Sequence, residues 1–234
     1  LPPPPSMNIK SATDIEFDKP GSWSSMDFGE ATLKPVPREP GLHASEVVDA
    51  LVRAAGFAPA ESSGWETKAI WEVGFCWEHV IQTAWKERRA FENRQRAILS
   101  QPRLELPLNR KGDVLHLTPD TWEYIGKVEE SYKSSTKSLR AFEEEPLSNF
   151  WGWFVQSKVY QFALNLPHRA KHGKLPASMT SRFFVLWIRG DYRHPTARQR
   201  VYTVQFTREE VEETWRMVRA QARRMIRERK GEKA

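Results

Sequence analysis

The 234-residue sequence has one cysteine, Cys76. A lone cysteine excludes an intrachain disulfide framework and any cysteine-rich zinc site. It lies between Phe75 and Trp77 with no adjacent basic residue to stabilise a thiolate, so it reads as a buried, inert thiol. The sequence starts Leu1-Pro2-Pro3-Pro4-Pro5, without methionine. The expectation drawn from that start is a mature chain after loss of a transit peptide, or a fragment boundary.

Long hydrophobic runs are also missing. The best candidate, 149–166, is interrupted by Gln156, Ser157, Lys158, Gln161 and Asn165. It falls short of the roughly 20 apolar residues that cross a bilayer. No glycine-rich loop is spaced to cradle a phosphate, and no serine, histidine and acid set assembles from sequence order. His168 and His172 have the spacing of a helical metal pair, but Pro167 and Gly173 bracket them, and Arg169, Lys171 and Lys174 would repel a cation. No metal, cofactor or catalytic residue is assigned, and an enzyme is not expected.

What the chain does have is lopsided charge. Residues 1–150 carry 18 Lys/Arg against 23 Asp/Glu, and residues 151–234 carry 18 against 7. The basic half is expected to meet something negative: acidic protein, anionic lipid such as cardiolipin, or RNA. The residues expected to make that contact are Arg169, Lys171, Lys174, Arg189, Arg193, Arg198, Arg200, Arg223, Arg224 and Arg227. Ten Trp and twelve Phe supply large buried area and exclude a disordered chain.

Along the chain, residues 1–42 are rich in Pro and Gly and read as an extended arm with apolar anchors such as Trp23 and Phe28. Ser45-Glu46 opens a short helix that Gly56 stops. A long helix is predicted over 65–99 from Ile70, Trp77, Ile81 and Trp85. Val114–Leu117 reads as a short extended piece. Thr118-Pro119-Asp120 reads as a helix start. The helix after it is given a seam of Ile125, Val128, Tyr132, Ser135, Leu139 and Phe142. An aromatic helix follows over 148–165, ended by Pro167, then a basic loop over 167–176. Residues 182–189 and 200–207 predict an antiparallel hairpin. Thr207 and Glu210 form a capping box for a last helix with a basic end.

The resulting expectation is a mainly α protein: a Pro-rich arm (1–42), a helical body of long amphipathic helices with a small hairpin near the C-terminus (43–218, hairpin 182–207), and a basic helical extension (219–234). Its expected role is that of a structural, accessory subunit of a multi-subunit mitochondrial assembly, a respiratory chain or ATP synthase complex. It would lie on the matrix side or in association with the inner membrane and contact other protein subunits. The alternative is a mitochondrial ribosomal protein or other RNA-binding protein using 167–233.

Overall fold

A computed structural model describes residues 8–14, 40–56, 98–109, 112–135, 137–144, 146–188 and 197–231. Of the long helix expected over 65–99, residues 65–97 lie outside those described and 98–99 belong to a strand instead; most of the N-terminal arm, Arg189 and Arg193 also lie outside them.

The fold is mixed α/β, which corrects the mainly helical expectation. Its larger sheet has six strands: β1 (Asn8–Asp14), β3 (Ile98–Ser100), β6 (Thr121–Glu123), β7 (Val128–Ser135), β8 (Ser178–Trp187) and β9 (Arg198–Thr207). Their spatial order is β1-β9-β8-β7-β6-β3. β7 and β8 are parallel, with Val128 opposite Thr180 and Ser135 opposite Trp187; the other neighbours are antiparallel. A three-stranded sheet holds β2 (Leu42–His43), β5 (Val114–Leu117) and β4 (Leu104–Pro107), in that order.

A parallel pair needs a crossover, and here it is helical: α2 (Leu139–Glu144), α3 (Pro146–Leu164) and α4 (Leu166–His172). α3 kinks at Phe150, whose φ of −136° is not helical. Pro167 ends the aromatic helix as expected, but it sits in the first turn of α4. The segment read as a loop is therefore helical to His172 and stops at Gly173, whose φ of 74° suits a residue without a Cβ.

The predicted hairpin is present as β8 and β9, paired from Ser178–Thr207 to Trp187–Arg198. So are α1 (Ala44–Ala54) and α5 (Arg208–Arg229), the latter opened by the Thr207–Glu210 capping box. The helix expected after Thr118 is not: residues 121–135 form β6 and β7, and only 139–144 of the proposed seam is helical.

The core lies between α3 and the sheet face that carries Phe183, Val185 and Trp187. Phe142, fully buried, anchors it against Phe150, Trp153, Phe154, Trp187 and Tyr202, with ring centroids 4.4–6.1 Å away. α5 packs over α1 and α3 through Val211, Trp215, Val218 and Ala222. No described helix is long and apolar enough to cross a membrane.

Candidate active site

Side chains alternate along a strand, so Glu129, Ser131, Lys133 and Ser135 share one face of β7. α3 covers that face. Ser157 on α3 donates to Glu129 Oε2 (2.6 Å), and Ser131 donates to Glu129 Oε1 (2.5 Å). Ser181, on the same face of the neighbouring β8, lies 2.8 Å from Ser157 Oγ. Gln161 donates to Ser181 Oγ (3.0 Å) and to the Thr180 carbonyl (2.6 Å). With Gln161 donating to Ser181, the hydroxyl protons order as Ser181 to Ser157 to Glu129. A fully buried carboxylate thus ends a directed chain of donors.

One residue before Ser157 on α3, Gln156 accepts from Lys133 Nζ (3.0 Å) and donates to the Tyr160 hydroxyl (2.9 Å). The pair holds the ammonium of Lys133 above the strand. Asp120 completes the group from the segment leading into β6. Its Oδ2 accepts the Tyr132 backbone N–H at 2.7 Å, which pins the carboxylate to the middle of β7.

The electrostatics are costly. Burial raises the Glu129 carboxyl to about 7; the three serine hydroxyls pull it down, and the negative neighbour Asp120 pushes it up. Burial also raises Asp120, opposed by Lys133 and by the Tyr132 hydrogen bond. Lys133 thus offsets the charge of Asp120, while Glu129 meets only hydroxyl donors and the negative charge of Asp120. The opposite face of β7 shows what a satisfied set looks like. There Arg182 donates to Glu123 (3.2 Å) and to Glu130 (3.3 Å).

The residues expected from the sequence to make contacts are scattered. Arg169 stands over the Phe162 ring at 5.7 Å, and Lys171 and Lys174 are exposed on and just after α4. His168 and His172 lie with ring centroids 4.4 Å apart. Arg198 is exposed at the start of β9, whereas Arg200 is paired with Glu143. Arg223 donates to the Leu108 carbonyl (2.6 Å), and Arg224 pairs along its helix with Glu228 (3.5 Å). Arg227 is exposed. These side chains do not form one cluster. The group around Glu129 was not among the expected sites; the signal for it was the spacing of Glu129, Ser131 and Lys133 at two-residue steps.

Among the described residues no three or more His, Cys, Asp or Glu side chains are arranged to hold a metal ion. Asp120 and Glu129 are a pair, not a cage. No family model matches the chain, and no curated protein matches it. A solved structure described as "Crystal structure of SSO0001" shares 11% identity, with 81% of this chain and 79% of that chain covered, at a TM-score of 0.39. A likeness that slight carries no weight for fold or function.

Proposed function

We propose that the protein is a divalent-cation-dependent phosphodiester hydrolase acting on nucleic acid. The observation that carries this reading is the fully buried Glu129 with the half-buried Asp120 and a positioned Lys133. Two carboxylates pushed upward by burial, Glu129 also by the charge of Asp120, gain from added positive charge, and a dication supplies it. Mg²⁺ is bound through one or two carboxylates, with water and substrate phosphate completing its shell, rather than by a full protein cage. A two-carboxylate site fits that ion and does not fit Zn²⁺, which takes nitrogen and sulfur ligands.

In this reading Asp120 and Glu129 would hold the ion, which would supply Lewis-acid polarisation of a phosphoryl oxygen and acidify a bound water. Lys133 places its ammonium where negative charge develops on the phosphoryl group. Gln156 orients that ammonium, and Tyr160 orients Gln156. Ser131 and Ser157 hold Glu129 in one rotamer, so that its ionisation, not its movement, prepares the site.

The nucleic-acid half of the reading rests on where the site lies. Glu129 is the second residue of β7, at the end of the sheet that also carries Lys127, α4 with Arg169 and Lys171, and Arg208 at the start of α5. A phosphate backbone entering from that end meets cations before it meets the carboxylates.

The test is hydrolysis of end-labelled single-stranded DNA, duplex DNA and RNA with Mg²⁺ or Mn²⁺. Cleavage should be abolished by EDTA, and Asp120→Asn, Glu129→Gln and Lys133→Ala should each lose about 100-fold or more in rate. Folding of each variant is checked by circular dichroism. A wild-type protein inactive on all three substrates in both metals would overturn the reading and return attention to the non-catalytic accessory-subunit expectation, in which the basic half docks on protein or lipid.

A further inference from the structure

The turn joining β6 to β7 exposes two apolar side chains. Tyr124 is 58% exposed and Ile125 67%, two of the three exposed large hydrophobics among the described residues. Their turn is not loose. A Cβ on Gly126 would meet Glu123 Oε1 at 2.8 Å, so the backbone lies directly on the Glu123 carboxylate. That carboxylate is held by Arg182 (3.2 Å). Lys127 then takes a left-handed φ of 52° and returns the chain into β7. A part-buried ion pair therefore braces a tight turn that presents a tyrosine and an isoleucine to solvent.

The surroundings of this turn are cationic. The register places it at the same end of the sheet as the start of β8 and the end of β9, since Val128 pairs with Thr180 and Ser178 with Thr207. The α4–β8 connection and the first turn of α5 are there too. Lys127, Lys171 and Arg208 all act on His168; partial desolvation first, then His172 and these cations, lower its pKa. Lys171 and Lys174 are exposed. Of the acids in the first turn of α5, Glu210 is taken up by the Thr207 N–H (2.7 Å) and Lys158 (3.6 Å); Glu209 is the acid left facing outward.

We infer that Tyr124 and Ile125 form a base-contacting tip that selects unpaired strands, with Tyr124 stacking on a nucleobase and Ile125 blocking the next base from restacking. Such a tip needs a flat ring, an aliphatic neighbour and phosphate-binding cations beside it. All three meet here, with Tyr124 and Ile125 five and four residues before Glu129. The inference builds on the proposed hydrolase by naming its substrate class as single-stranded or frayed nucleic acid. Its charge complementarity favours a nucleic acid over a protein occupant, because an apolar protein surface has no use for the surrounding cations.

The experiment is equilibrium binding, so it does not depend on turnover. Wild-type full-length protein and the double variant Tyr124→Ala/Ile125→Ser are titrated, with Ca²⁺ present, into fluorescein-labelled single-stranded DNA and RNA, into the matching DNA duplex and into an abasic strand of equal length. Both side chains are exposed, so the variant should fold, which its thermal melt verifies. The double variant should bind the base-bearing strands about 10-fold more weakly and the abasic strand equally well. Equal loss on both strands, no loss on either, or a wild type that prefers duplex would overturn the inference. So would a wild type that ignores oligonucleotides and self-associates through these residues. Failure of hydrolysis with this binding pattern intact would sink the hydrolase alone.

Discussion

At the scale of single residues, Glu129 decides most. Its folded carboxyl titrates near 7 rather than 4.5, so between those values the folded chain binds more protons than the unfolded one. Stability must then fall as pH rises from about 4.5 to about 7 and level off above. A displacement of that size is on the order of 3 kcal/mol, and the raised Asp120 adds to it with the same sign. In EDTA, urea midpoints should therefore drop between pH 5 and pH 7.5. Glu129→Gln should flatten part of that slope and be more stable than wild type at pH 8. Mg²⁺ should restore the wild type at pH 8 and leave the Gln variant unchanged. Parallel pH slopes for the two proteins would show that Glu129 does not carry the cost. Ser131 and Ser157 limit this cost without removing it, and their hydroxyls donate to the carboxylate whether or not a cation is bound.

At the scale of elements, what the sequence revealed depended on whether polarity and period agreed. β8 and β9 alternate or run apolar in the ordinary way, α5 carries its capping box in plain view and α1 its apolar spacing ahead of Gly56, so all four were legible, although α1 is capped by His43 without a side-chain capping bond and not by Ser45. β7 was not. Its sequence, Val-Glu-Glu-Ser-Tyr-Lys-Ser-Ser, puts Glu129, Ser131 and Lys133 where a strand would normally bury Val or Ile. With the alternation erased by polar residues, an accidental 3,4 spacing of Ile125, Val128, Tyr132 and Ser135 read as a helix. The residues that hid the strand are the same ones that build the site, the expected trade between local consistency and function. Thr118-Pro119-Asp120 misled for a related reason. Its acid receives a backbone N–H, as a helix cap would, but the donor is Tyr132 twelve residues on. The crossover was better signalled, because aromatic content alone placed α3 in the core. α2, only six residues long, owes its place to Phe142 and the rings around it. Phe142→Ala should cost about 3–5 kcal/mol, read as a lowered urea midpoint at constant m-value. A loss below about 1 kcal/mol would mean that α2 is held by something other than this cluster.

At the scale of the molecule, the cations fall into two groups. Along α5 the cations are used internally. Arg219 and Arg223 donate to the Leu108 carbonyl, Arg229 pairs with Glu46 (2.6 Å) and Lys230 with Asp113 (3.0 Å). The late basic turns of α5 thus bind the acidic front of the chain, where the small sheet and α1 lie. At the other end of the helix, Lys127, Lys171 and Lys174 are exposed around the proposed entry to the site. The two groups should separate in salt dependence. Counterion release lowers the logarithm of affinity for a single strand by about 0.7 per phosphate contact for each tenfold rise in salt. Replacing Lys127, Lys171 and Lys174 together by Ala should therefore flatten the salt slope of single-strand binding by about 2 if each meets one phosphate. The thermal midpoint should scarcely move, because these side chains are exposed. Arg223→Ala combined with Arg229→Ala should do the reverse, lowering the midpoint and leaving the salt slope intact. A slope that responds to the α5 arginines and not to the three lysines would move the nucleic-acid path to the opposite end of the helix, away from Asp120 and Glu129, and the hydrolase reading would lose its route for substrate.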